Sequence, residues 1–178
     1  MKTTMHALAI ETFVPMLRAL SGILDKGSQH ASSGQFDPAT LVNARLASDM
    51  YPLVKQVQLA CDHAKDATAR LMGTEPPRFD DTEQSLDELK ARIANTTKYL
   101  ESARATAFED AEDRNITIQT PNNFSFEMTG LQFLRDWALP HFYFHVVTAY
   151  DILRHNGVDI GKRDYLSNVG QYIRQVRP

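Results

Sequence analysis

His141 and His145, in Leu139-Pro140-His141-Phe142-Tyr143-Phe144-His145, carry the side chains of this chain best suited to chemistry. On a helix, residues four apart leave the same face about one turn from each other. Two imidazoles so placed can occupy adjacent positions around a transition metal. The same spacing also serves two histidines hydrogen bonded at the core or rim of a helical protein, and the spacing alone does not separate the two readings. Trp137, Phe142, Tyr143, Phe144 and Tyr150 surround the pair. They are core-forming residues, some of which could line a pocket beside the imidazoles. Asp62 and Asp136 are candidate acceptors that would fix a histidine tautomer.

The remaining residues of chemical interest carry less. His63, in Cys61-Asp62-His63-Ala64-Lys65, is a candidate third metal ligand, and its charged flanks suit a partly buried surface histidine equally. Cys61 lies two residues from His63, so on a helix the two point in different directions, and a small apolar core residue is the simpler role. His155, just before Asn156-Gly157, suits the negative end of a helix dipole. His6 and His30 fall on an N-terminal turn and a loop. Asp110, Glu112 and Asp113 read as a solvated loop, and Lys162-Arg163 is too short to be a phosphate motif.

Helices must position these residues. Met5, Leu8, Phe13, Met16, Leu20, Ile23 and Leu24 recur at three- and four-residue steps and predict a helix from about Thr4 to Lys26, kinked or broken at Pro15. Gly27 to Gly34 reads as a loop by composition. Asp37-Pro38 is a cap followed by a first-turn proline, and Pro52 opens a longer helix stopped by Gly73. The core stripe of that helix is Leu53, Val57, Ala60, Ala64, Ala67 and Leu71, whose alanines imply a close neighbour. A third helix is predicted from a Thr82 cap to about Ala103, with Leu86, Leu89, Ile93, Thr97 and Leu100 inward. Ile116–Gln119 and Phe124–Glu127 alternate about the turn residues Thr120-Pro121-Asn122-Asn123, the pattern of a short hairpin. The last long helix runs from about Thr129 to His155, bent at Pro140 and stopped by Asn156-Gly157. Tyr165, Leu166, Val169, Tyr172 and Ile173 are expected to dock a final short helix. The pattern is all-α, a helical bundle with a short β-hairpin or loop insertion before the last long helix.

With 178 residues the chain is expected to form one domain, residues 1–178. A formal charge of −3 gives no electrostatic case for nucleic acid. One cysteine excludes an intrachain disulfide and a cysteine-rich zinc site. No apolar run is read as approaching the roughly 18 residues that span a membrane, so a cytoplasmic protein is expected.

In this order the segments resemble a DinB-like protein, of the superfamily that includes YfiT-type metal-dependent hydrolases. Members are four-helix bundles whose last bundle helix carries two histidines four apart, then a stretch ending in Leu-Arg, a polar residue or two and Gly. Here these are His141, His145 and Ile152-Leu153-Arg154-His155-Asn156-Gly157. Asp49-Met50-Tyr51-Pro52-Leu53, Gln56-Val57-Gln58-Leu59-Ala60, Phe142-Tyr143-Phe144-His145, Thr148-Ala149-Tyr150 and Gly161-Lys162-Arg163-Asp164-Tyr165-Leu166 resemble an uncharacterised bacterial branch of it.

The superfamily's usual centre takes a third histidine from about the middle of an earlier helix. His63 is the only histidine on the second helix, nearer its C-terminal end, and Gln56 stands two turns earlier on the same face, in the place a ligand histidine would hold. A pocket of Gln56, Trp137, Tyr143 and Tyr150 around His63, His141 and His145 is expected. Two functions follow from the resemblance. One is a homodimeric small-molecule or partner-binding protein with a degenerate metal pocket. The other is a metal-dependent hydrolase or thiol-dependent transferase, with Zn, Ni, Mn or Fe on the three histidines.

Overall fold

A computed structural model describes residues 3–35, 38–120 and 122–174. The helix α1 (Met5–His30) opens on Thr4, whose hydroxyl accepts from the Ala7 amide. It continues through a π-helical turn, Ala31–Gln35, to a short α2 (Pro38–Asn43). Asp37, the expected cap, lies outside the described residues. The long helices α3 (Leu53–Met72) and α4 (Leu86–Ser102) follow, and a 3-10 turn (Ala105–Phe108) leads to strands β1 (Asn115–Gln119) and β2 (Ser125–Thr129). A single helical turn, α5 (Gly130–Gln132), passes through a π-helical segment, Phe133–Ala138, into α6 (Leu139–His155). The short α7 (Lys162–Tyr165) and a 3-10 turn (Ser167–Tyr172) end the described chain.

The molecule is mostly helical with one small antiparallel hairpin, as the hydrophobic periodicity and the alternating segment predict. Helix α3 packs on α6 and α4, and α1 packs on α4 and α6. Leu53, Val57, Ala60, Ala64, Ala67 and Leu71 are all buried, and the stripe's alanines let α3 approach its neighbours closely. Gly73 ends α3 in the left-handed conformation (φ 71°). In the hairpin, Ile116 pairs with Met128 and Ile118 with Phe126.

Several expectations are corrected. The stretch from Gly27 to Gly34 is helix, not loop. Gly27 is buried, and a Cβ there would stand 3.3 Å from Leu153 Cδ2 and 3.6 Å from Leu86 Cδ1, so glycine lets α1 approach α6 and α4. Ser28, Ser32 and Ser33 satisfy their hydroxyls on carbonyls of the preceding turn and do not break the helix. Pro15 sits inside α1 without ending it. By length and composition the stretch Met5–Ser33 is apolar enough to cross a membrane; here 56% of its apolar 18-residue window is buried inside the fold, as in a core helix.

The cap of α4 is Ser85, not Thr82, because Ser85 and Glu88 form a reciprocal capping box. Before Pro140, which has no N–H to bond back one turn, the chain winds as a π-helix, and the proline takes the first turn of α6. Val169, Tyr172 and Ile173 do not dock: they are 46%, 68% and 77% exposed.

Candidate functional site

The α3–α6 contact brings three histidines together. His63 projects from α3, His141 and His145 from α6. The His63 ring stacks on His141 with centroids 4.9 Å apart and planes 29° from parallel, and on His145 at 5.3 Å and 10°. Gln56, two turns before His63 on the same face of α3, is buried beside them.

The hydrogen bonds decide which nitrogens are available. His141 Nδ1 lies 2.8 Å from the Trp137 carbonyl. A carbonyl only accepts, so Nδ1 carries the proton. His145 Nδ1 lies 2.7 Å from Gln56 Oε1, and Gln56 Nε2 donates to the Tyr51 carbonyl at 3.0 Å. The second bond orients the carboxamide, so its oxygen faces His145 and Nδ1–H is again the donor. In the neutral rings, both Nε2 atoms then present lone pairs. Burial, and secondarily the neighbouring His145 and His141, pull the His63 pKa down to about 4. Burial and then His141 do the same for His145, also to about 4. His63 and His145 are therefore neutral near pH 7.

Neutral imidazoles with Nδ1 tied to a neutral acceptor are what a nitrogen-ligated metal requires. Ring orientation is the part that must change. An imidazole lone pair lies in the ring plane, and nearly parallel stacked planes do not converge on one point about 2.1 Å away. Accordingly, no ready-made cluster of three or more His, Cys, Asp or Glu ligands is found among the described residues. His63 makes no hydrogen bond among the described residues and is held by its stacking on His141 and His145. The three imidazoles suit a divalent ion in donor chemistry, but the stacked rings do not present their lone pairs to one point.

The aspartates that sequence offered as supports lie elsewhere. Asp62 accepts from Arg92 Nη2 at 2.9 Å and pairs with Lys65 at 3.3 Å. Asp136 is engaged by Arg135 on the surface. The supports actually used are a carboxamide and a peptide carbonyl. A backbone acceptor leaves no trace in composition; the signal for Gln56 was its seven-residue offset from His63.

Of the four pocket residues, Gln56 and Trp137 meet the histidines, the Trp137 ring lying 4.6 Å from His141 with planes tilted by 39°. Tyr143 and Tyr150 point to another face of α6. Tyr150 packs near Tyr165 (6.3 Å) and lines a cavity of about 200 Å³ with Val147, Asp151 and Lys162. Tyr143, its phenol pKa raised by burial, packs on Phe142. Cys61 is fully buried and its thiol is pushed up to about 12, chiefly by desolvation, so it is an inert core residue.

A mostly helical chain with a histidine pair on its last long helix is of the DinB-like class. Residues 5–166 match the family described as Domain of unknown function (DUF1993), and the chain belongs to that family. It is also similar to a DinB family member protein of Shewanella denitrificans, known from a crystal structure, at 43% identity and a TM-score of 0.83 over 90% of each chain. A comparison with curated proteins finds no match.

Proposed function

We propose that the chain is a four-helix bundle of the DinB type whose α3–α6 face binds a divalent transition metal through His63, His141 and His145, and that it binds a small molecule at that centre. The observation that carries this reading is the paired Nδ1–H commitment. His141 gives its proton to the Trp137 carbonyl and His145 to Gln56, leaving two Nε2 lone pairs one helical turn apart. His63 would supply the third nitrogen from the facing helix. Imidazole donors suit Zn, Ni and Fe, and geometry alone does not choose among them. A bound ion would supply a Lewis-acidic position for a donor atom of the ligand.

The chain's own residues do the rest. Gln56 and the Trp137 carbonyl hold two rings in one tautomer, and α3 against α6 sets their separation. The reading stays with binding because the hydrogen bonds and ion pairs of the described residues bring no carboxylate to the rings as a general base.

Calorimetric titration of tag-free protein with Zn²⁺ tests it. One site per chain is expected, lost in His145→Ala. No heat of binding, or equal binding by the variant, would contradict it.

A further inference from the structure

Apolar residues near the C-terminus, expected to dock, line a cavity instead. Helix α7 and the 3-10 turn after it pack on α1. Asp164 fixes that attachment: its carboxylate pairs with Lys26 of α1 at 2.7 Å and accepts from the Gly161 amide at 2.8 Å. Beyond this anchor lies a cavity of about 580 Å³, lined by Lys162, Arg163, Leu166, Val169, Gly170 and Ile173 among others. Leu166, Val169 and Ile173 make it apolar, and Val169 and Ile173 are left open to solvent.

Its charge is of one sign. Among the described residues the side chains of Lys162 and Arg163 enter no ion pair and no hydrogen bond. No aspartate or glutamate lines the cavity, and Asp164 beside them in sequence is committed to Lys26. Asp151 lines the separate, smaller cavity on the other side of Lys162, so an anion is favoured on the Arg163 side. Two unpaired cations beside an apolar wall suit a ligand with an anionic head and an apolar chain: the charges orient it, and the chain takes the exposed side chains out of water. A second copy docked through the same face would bring the same two cations into one interface, like charge with like. A concave site also takes one molecule, where a bilayer offers a flat surface.

We propose that this cavity binds a single-chain fatty carboxylate, its head on Lys162 and Arg163 and its chain along Leu166, Val169 and Ile173. No histidine takes part, so the site stands apart from the metal reading above.

The test is a titration of ¹⁵N-labelled protein with octanoate, butanoate and octanol, followed at the amide signals of Val169 and Gly170. A fully buried methylene contributes about fourfold in affinity. Octanoate has four more than butanoate, and in a cavity open on one side it should bind at least about tenfold more tightly. Octanol, which lacks the charge, should bind about threefold more weakly than octanoate. The double variant Lys162→Ala/Arg163→Ala should lose the preference for octanoate over octanol, and Ile173→Ser should reduce the preference for the longer chain. All three side chains are exposed, so both variants should fold. Equal affinity for octanoate and butanoate, a preference over octanol that survives in the double variant, or shifts centred outside residues 162–173 would overturn the proposal. So would sedimentation with phosphatidylglycerol vesicles in the absence of octanoate binding, which would make this face a membrane contact.

Discussion

A single carboxamide holds much of the site. Gln56 accepts from His145 Nδ1 and donates to the Tyr51 carbonyl, so it ties the start of α3 to the histidine pair of α6. Gln56→Leu keeps the volume and removes both bonds. Zinc affinity should fall about 10–100-fold, as when other outer-shell partners are lost, and the orphaned groups should destabilise the fold by about 1–3 kcal/mol. Calorimetry and urea unfolding read the two effects separately, and unchanged zinc affinity would remove Gln56 from the site. Sequence made His141 and His145 legible because helical spacing converts directly into a shared face. It made Gln56 visible only as an offset, and it misdirected the search for acceptors to Asp62 and Asp136. The reason is physical. A carboxylate near a histidine in sequence goes to the strongest cation in reach, and Arg92 and Arg135 lay closer than the imidazoles.

At the scale of elements, two contacts hold the site helices in place. Arg92, on α4 and almost fully buried, reaches Asp62 on α3 and both Asp81 and Glu83 on the segment linking the two helices. Arg92→Met would remove the cation the three carboxylates share, leaving Asp62 with Lys65, Asp81 with Lys55 and Glu83 with Gln58, and should cost on the order of 2 kcal/mol, read as a lower urea midpoint; a loss under half that would show the cluster to be dispensable. Gly130, where β2 enters α5, lies so close to the chain around Ala111 that an added Cβ would fall 1.8 Å from its carbonyl oxygen. Gly130→Ala must displace backbone, and a loss of about 2 kcal/mol or more is expected in the same assay. A variant as stable as the parent would show that joint to be loose. Helix boundaries followed sequence at Gly73 and Thr4, while at the start of α4 the cap moved from Thr82 to Ser85, whose partner Glu88 completes the box. They departed from sequence where tertiary packing decides, as at Gly27, whose missing side chain admits Leu153 and Leu86.

For the whole molecule, the depressed histidines couple stability to pH. Unfolded histidines bind a proton near 6.5, whereas folded His63 and His145 do so at about 4. Between those values the unfolded state holds more protons, so this contribution is fully present above about pH 6.5 and is lost as pH falls toward 4. Urea unfolding at pH 7.5 and 4.5 should differ by roughly 2–5 kcal/mol, the upper end being the two full shifts and the lower allowing for the rings' partial exposure, and the double variant His63→Gln/His145→Gln should flatten that part of the profile. An unchanged profile in the double variant would mean that these rings are not desolvated as described. The mostly helical architecture was legible throughout because the three- and four-residue hydrophobic period is a property of every long helix here. The meeting of His63 with a pair nearly eighty positions later was not, because it depends on how α3 and α6 pack. The account turns on whether that meeting holds a metal. Mass-spectrometric metal analysis of tag-free protein, beside His63→Ala, His141→Ala and His145→Ala, tests it most directly. One divalent ion per chain, lost in each folded variant, is the predicted result; folded parent protein that retains no metal after equilibration with zinc would contradict it.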